Sequence, residues 1–381
     1  MARHAPVHQA FGASALRTPF ALPSLPAAQG SPESRIDLNW AGSGAPEDIA
    51  WVHHWIDGDE VLLSLALHED GYWLRVPDYA DFLVRLQPCS VMVSPEAQAL
   101  DVATLEHLLV DQVLPRVLAQ LGGTLVHAST VRIGGRHVLF LGPSGWGKST
   151  LAGLLYRAGH PVLSDDCVQL VAAPSGRFHA VPTYPSLRLN ADSLQAVFPG
   201  QVETAPVASY SNKRRIPIAS PGQVDGPAKV DALYLLGDPA QAGDEVRIAP
   251  AAPAAACLAL IRHSFRLDLG DRQASAMQLR QCGAIAEAVP AFTLDYPRDH
   301  ARHAELLETL LQLFDVDARV APLGDGFLLN FDRLLQIAAL EQNHAQGIEN
   351  LGAFVGQFDS AFGGFQRQVQ VAIRELGLIG I

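Results

Sequence analysis

Lysine is nearly missing from this chain of 381 residues. Only Lys148, Lys213 and Lys229 occur, and arginine carries all other fixed positive charge. Basic residues are outnumbered as well, 27 Lys and Arg against 39 Asp and Glu, for a formal net charge of -12. A surface of that sign does not displace counterions from a phosphate backbone, so general nucleic-acid binding is excluded. Cysteine is scarce too. Cys89, Cys167, Cys257 and Cys282 lie far apart with no CxxC pair. That argues against a disulfide framework or a zinc site and for reduced thiols in a cytoplasmic protein. No apolar run approaches the roughly 18 residues that span a bilayer, so no membrane span is expected. Residues 1–34, rich in Pro, Ala, Ser and Gly, lack the compact apolar core of a secretory signal and are expected to form a mobile arm.

What is present is a sizeable core: 49% of residues are hydrophobic and only 17% charged. The length suits two domains better than one. Residues 35–120 read as a small α+β region. In "VLLSLALHEDGYWLRV" two alternating runs flank a turn at Glu69 to Gly71, and "DVATLEHLLVDQVLPRVLAQLGG" reads as a helix capped by Asp101 and kinked at Pro115. No residue of this region demands a chemical role. Residues 121–318 mix strands and helices, which argues α/β. "TLVHASTVRIGGRHVLFLG" reads as two strands joined at Gly134 and Gly135. Later strands are expected in "VDALYLLG" and "AFTLDYP", and helices over 253–263, 274–288 and 298–314. Residues 319–381 read as a helical extension. Leu351, Val355, Phe358, Phe362, Phe365, Val369, Ala372 and Leu376 step by alternating four and three, a heptad-like seam. Docking on the chain's own surface is the plain reading of such a stripe, and a homo-oligomer contact through it the alternative.

The chemistry is concentrated in "GPSGWGKSTLAGLLYRAGHPVLSDD". Gly142, Gly147, Lys148 and Ser149 satisfy GxxxxGK[ST], between an expected strand and an expected helix. Glycines let backbone N–H groups turn onto phosphate oxygens, and the helix N-terminus adds its positive dipole end. The loop Gly142, Pro143, Ser144, Gly145, Trp146, Gly147, Lys148, Ser149 and Thr150 is therefore the candidate ATP cradle. Lys148 is expected to reach the β and γ phosphates and to stand exposed in an empty site. Ser149 can give an oxygen to Mg²⁺.

Asp165 and Asp166 arrive at the end of the next expected strand. A helix and a short turn are expected to return that strand beside the loop's own strand. Carboxylates there can hold Mg²⁺ or take a proton from an attacking hydroxyl, so Ser149, Asp165 and Asp166 form the candidate metal set. Bland readings stand beside these: a solvated acidic pair at a strand end, and for "NKRR", the densest basic cluster, a solvated loop.

Three motifs in order, "VHAST" with His127, "GPSGWGKS" and "AGHPVLSDD", resemble the HPr kinase/phosphorylase superfamily, whose kinase fold is related to phosphoenolpyruvate carboxykinase. "TYPSLRLNADSL", "NKRRIPI", "ALIRHSF" and "DYPRDH" further resemble divergent HPr kinase-like proteins, so the likeness covers about 121–314. It implies an α/β P-loop kinase core with a small N-terminal α+β region and a helical C-terminal tail. It also implies ATP and Mg²⁺ as cofactors, and catalytic roles for Lys148, Asp165, Asp166 and His127. His160 is expected to be structural. One of Lys213, Arg214 and Arg215, or Arg188, Arg262 or Arg298, is expected to stabilise the transferring phosphoryl group. The family's second, Gly-rich signature tied to its phosphorylase reaction is not in this sequence, so phosphorylation is the expected direction. The leading expectation is an ATP-dependent kinase acting on a hydroxyl, serine above all, of a peptide or protein. The alternatives are a small-metabolite kinase and a non-enzymatic ATP-sensing assembly module.

Overall fold

A computed structural model describes residues 7–28, 34–218 and 227–317, with side chains as far as residue 312. The expected helical extension over 319–381, and the seam within it, lies outside the described residues.

The N-terminal half is one eight-stranded sheet. Its strands are β1 (Val7–Phe11), β2 (Ser14–Thr18), β3 (Ser34–Trp40), β4 (Trp51–Asp57), β5 (Glu60–His68), β6 (Gly71–Val76), β7 (Ala80–Leu86) and β8 (Cys89–Val93), in the order β1-β2-β3-β8-β7-β6-β5-β4. The expectation of a mobile arm is corrected here. Phe11 and Leu16 are fully buried, and the β1–β2 hairpin docks on the other half of the chain through the Ala13 N–H donating to Gln169 Oε1 at 2.8 Å. Turn-rich composition hid two five-residue strands whose apolar residues have a core to enter.

The helix expected after Asp101 forms, with the Asp101 carboxylate accepting from the Thr104 N–H at 2.9 Å. It is not regular. α1 (Val102–His107) passes into a wider π turn over Leu108–Val113 before α2 (Leu114–Gln120) resumes. Pro115 has no N–H to give the carbonyl four residues back, and the Leu114 N–H reaches Leu109 O instead, an i to i−5 bond.

The second half builds around β9 (Thr124–Val126), β10 (Ala128–Ile133), β11 (Arg136–Leu141), β12 (Val162–Ser164), β13 (Val168–Ala172), β14 (Phe178–Pro182), β18 (Ala228–Leu236), β19 (Arg247–Pro250) and β20 (Ala291–Asp295). The order is β12-β10-β11-β18-β14-β13-β9, with β20 between β18 and β19. Within this sheet, among the described residues, the β11–β18 and β18–β20 pairings are parallel and the rest antiparallel. A small antiparallel sheet of β15 (Ser186–Leu189), β17 (Arg214–Pro217) and β16 (Ala205–Pro206) lies apart. Helices α3 (Lys148–Arg157), α4 (Ala191–Val197), α5 (Pro253–Arg262), α6 (Arg272–Ala288) and α7 (His303–Asp317) complete a mixed α/β protein. No helix among the described residues is long and apolar enough to cross a membrane.

Two local readings change. The strand expected through "TLVHAST" breaks at His127, because β9 pairs with β13 while β10 pairs with β11 and β12. And β12 does not return beside β11: β10 lies between them. The Gly134 and Gly135 hairpin is as expected, both residues having positive φ, 56° and 81°.

Candidate functional site

The site forms where β11, β12, β15 and α1 converge. β11 delivers the chain into the glycine-rich loop, and α3 begins at Lys148. Gly145 and Gly147 hold φ of 80° and 90°. At Gly147 a Cβ would meet the Tyr296 hydroxyl at 2.7 Å, so both backbone shape and close approach require glycine. Pro143, Ser144 and Gly145 stand exposed at the loop's crest, while Trp146 packs into the apolar cluster under α3. The first N–H groups of α3 have no intrahelical partner, which suits an anion there.

Lys148 corrects its expectation. It is buried, and its ammonium donates to Gly142 O at 2.7 Å and Pro143 O at 3.0 Å. Burial pushes its pKa down to about 8 against the pull of Asp166 and Asp165. The Ser149 hydroxyl donates to Asp165 Oδ1 at 3.0 Å. The Thr150 hydroxyl pairs with Ser193 on α4, 3.0 Å away.

The two acids sit just past β12, not on it, and Asp166 takes a left-handed φ of 65°. That conformation costs a non-glycine residue energy, and such strain clusters at functional sites. It also frees the pair from strand alternation. Asp165 is fully buried, its Oδ1 accepting from the Ser129 and Ser149 hydroxyls and its Oδ2 from the Arg188 N–H at 3.1 Å. Burial, then the neighbouring Asp166, pushes its carboxyl up to about 6. Asp166 faces the other way: Oδ1 lies 3.5 Å from His127 Nε2 and Oδ2 3.9 Å from the Arg188 guanidinium. Burial alone would raise its carboxyl, but Lys213, His127 and Arg188 hold it below the usual carboxylate range.

His127 lines this cleft at the break between β9 and β10. Burial, then Lys148, pushes its imidazole down to about 4, so it is neutral at pH 7. His160 follows the end of α3. Gly159 has φ 92° and donates to Tyr156 O at 3.0 Å, while the His160 N–H closes on Leu155 O at 2.9 Å, a Schellman stop for α3.

The "NKRR" cluster divides. Arg214 holds Thr204, Arg215 pairs with buried Glu106 at 2.7 Å, and Lys213 is the residue whose charge bears on Asp166 and Lys148. Arg298 lies beside Gly147 on the Tyr296 ring, its guanidinium donating to Tyr296 O and Gly237 O. Arg262 lies near His263, whose pKa burial first, then Lys148, His127 and Arg262 push down to about 4.

Sequence reasoning missed His107 and Asp111. Both come from the α1–π turn region to which no role was assigned, and Asp111 accepts from the Arg188 guanidinium and from Tyr184 Oη at 3.1 Å. Their spacing of four on one helix was the available signal.

Hard cations take oxygen ligands; the Ser149 hydroxyl and the Asp165 carboxylate lie 3.0 Å apart, with the Asp166 carboxylate, next in sequence to Asp165, facing the other way. A buried carboxyl pushed up to about 6 gains a compensating charge if Mg²⁺ binds beside it. The hydroxyl and carboxylate are of the donor type Mg²⁺ takes, while no group of three or more His, Cys, Asp or Glu that could hold a metal ion occurs among the described residues. An open groove of about 660 Å³ lies beside α4, lined by Leu194, Phe198, Val202 and Arg214 among others, and none of its lining residues belongs to the loop or the acids.

No known family model matches this chain, and no curated protein matches it in sequence. Among solved structures, the HPr(Ser) kinase/phosphatase from Coxiella burnetii is similar to it, with 13% identity and a TM-score of 0.30, over 51% of this chain and 92% of that one.

Proposed function

We propose that the protein is an ATP-dependent kinase that transfers the γ-phosphoryl group to a hydroxyl, that of a serine in a peptide or protein. The observation that carries this reading is the Ser149 hydroxyl on Asp165 Oδ1, with Asp166 turned by its positive φ into the adjoining cleft. Phosphoryl transfer needs positioning and charge stabilisation more than covalent chemistry, and this cleft gathers those parts. Mg²⁺, when bound by Ser149 and Asp165, supplies charge neutralisation on the phosphates. Lys148 exchanges the Gly142 and Pro143 carbonyls for phosphate oxygens. Asp166, kept ionised by Lys213 and Arg188, accepts the proton of the acceptor hydroxyl. Lys213 remains on the cleft side to meet negative charge on the transferred group. An extended peptide threads a single hydroxyl toward Asp166 more readily than a bulky folded surface does.

The test is incubation of the protein with labelled ATP, Mg²⁺ and a cell lysate, with mass-spectrometric identification of the labelled species, repeated with Asp165→Asn and Asp166→Asn. A labelled macromolecular band is expected. Asp165→Asn should raise the Mg²⁺ requirement, and Asp166→Asn should lower the rate by about 10²–10⁴-fold at any Mg²⁺ concentration. Nucleotide binding with no transfer, or near-normal rates in both variants at low Mg²⁺, would overturn the proposal. A labelled sugar or nucleoside would overturn the peptide acceptor.

A further inference from the structure

We propose that Asp111 is a positioning residue of this site: from the π turn of the N-terminal half it fixes the Arg188 guanidinium beside Asp166 without letting it close on that carboxylate. The proposal rests on the kinase reading for its consequence, and on the following geometry for its substance.

Arg188 is 3% exposed, and its guanidinium donates to Asp111 Oδ2. His107 Nδ1 lies 3.3 Å from the same guanidinium nitrogen, and the Tyr184 ring stacks beneath it with the cation centre 4.3 Å from the ring centroid. Tyr184 Oη donates at 3.1 Å to the other Asp111 oxygen. Asp111 is thus held on both oxygens, and Arg188 between a carboxylate and a ring. Through its own backbone N–H, Arg188 also fixes Asp165. From this seat the guanidinium stands 3.9 Å from Asp166 Oδ2, close enough to bias its charge and too far for a direct hydrogen bond. Asp111 competes with Asp166 for Arg188. If Asp111 loses its charge, the nearest carboxylate left to a buried guanidinium is Asp166, and a full ion pair there would occupy one oxygen of the carboxylate proposed to accept the acceptor's proton. The widened turn matters because it sets which way Asp111 projects from its helix. Such turns recur at functional positions.

The test compares wild type with Asp111→Asn, Arg188→Gln, the double variant, and the milder Tyr184→Phe, which removes only one hydrogen bond to Asp111. Two readouts are taken: kcat and KM for ATP, and the ¹⁵N-edited Nε–H resonance of Arg188, assigned by its loss in Arg188→Gln. Asp111→Asn is expected to lower kcat by about 10- to 100-fold, the range for outer residues that orient reacting groups, with KM for ATP within about 2-fold. The double variant should be no slower than Arg188→Gln alone, since the two residues act as one unit. The Arg188 resonance should move in Asp111→Asn and, by less, in Tyr184→Phe. Normal kcat in a folded Asp111→Asn protein, additive losses in the double variant, or an unmoved Arg188 resonance would each overturn the proposal. Should wild type transfer no phosphoryl group at all, the kinase reading falls, and the resonance alone decides whether Asp111 seats Arg188.

Discussion

Lys148 shows how a single residue can be right in identity and wrong in setting. Its place in the loop pattern is plain from the sequence, but its burial is not, because the carbonyls of Gly142 and Pro143 capture the ammonium only once the loop is folded. Lys148→Ala therefore does two things. It removes the contact proposed for the phosphates, and it leaves the buried Gly142 carbonyl short of a donor, at about 1–3 kcal/mol for an unsatisfied buried group. Lys148→Met keeps the stem and should cost less stability while losing as much ATP affinity. Nucleotide titration and thermal unfolding of both variants separate the two effects. Equal stability of the two variants would show that packing of the Lys148 stem contributes nothing. The histidines give a second expectation at this scale. His127 and His263 are both pushed from 6.5 down to about 4, by burial first. Between those limits the unfolded chain binds more protons than the folded one, so stability rises with pH across that window. Their contribution is complete above pH 6.5 and is lost as pH falls toward 4. Unfolding midpoints of the nucleotide-free protein measured from pH 7 to pH 4.5 should fall, and the paired change His127→Gln with His263→Gln should flatten that slope.

Individual elements were legible in proportion to how local their causes are. Helix α3 has its start in the loop glycines, its stop in Gly159, and its apolar face in Leu151, Leu154 and Leu155, all within one window of sequence. The hairpin at Gly134 and Gly135 is equally local. The break at His127, the edge position of β12 and the turn that carries Asp166 were not legible, because each depends on which distant strand takes up the pairing. The π turn falls between: Pro115 announces a disturbance, but not that the carbonyl ladder shifts by one residue rather than kinking. The Schellman stop allows a clean measurement. At Gly159 an added Cβ would meet nothing within 4 Å, so Gly159→Ala is expected to cost only the left-handed backbone penalty, about 1–2 kcal/mol, by chemical denaturation. Phosphoryl transfer should be unchanged if "AGH" serves only to end α3. A variant with native stability and lost transfer would instead give His160 a role in the site.

At the scale of the molecule, the expected boundary near residue 120 is crossed by the core itself. The apolar cluster that fills the N-terminal sheet also takes in Leu125, Cys167, Tyr184 and Leu267 from the second half. Two buried ion pairs cross the same line, Glu106 with Arg215 and Asp111 with Arg188. Nothing in the sequence joins these partners, which lie 109 and 77 residues apart. Removing one member of a buried pair costs about 3–5 kcal/mol because the other charge is left without compensation. Two such losses are comparable with the whole net stability of an ordinary domain, about 5–15 kcal/mol. Residues 121–317 produced alone would suffer both, and would expose the apolar side chains that the N-terminal sheet covers. That fragment is expected to show no cooperative thermal transition and no ATP binding, although it contains the entire loop and both acids. The full chain with Glu106→Ala supplies the graded version: folded, less stable by about 3–5 kcal/mol in denaturant, and with Arg215 released beside Lys213. A fragment that melts cooperatively and binds ATP as the full chain does would show that the N-terminal half is an appendage. It would also remove Asp111 from the site.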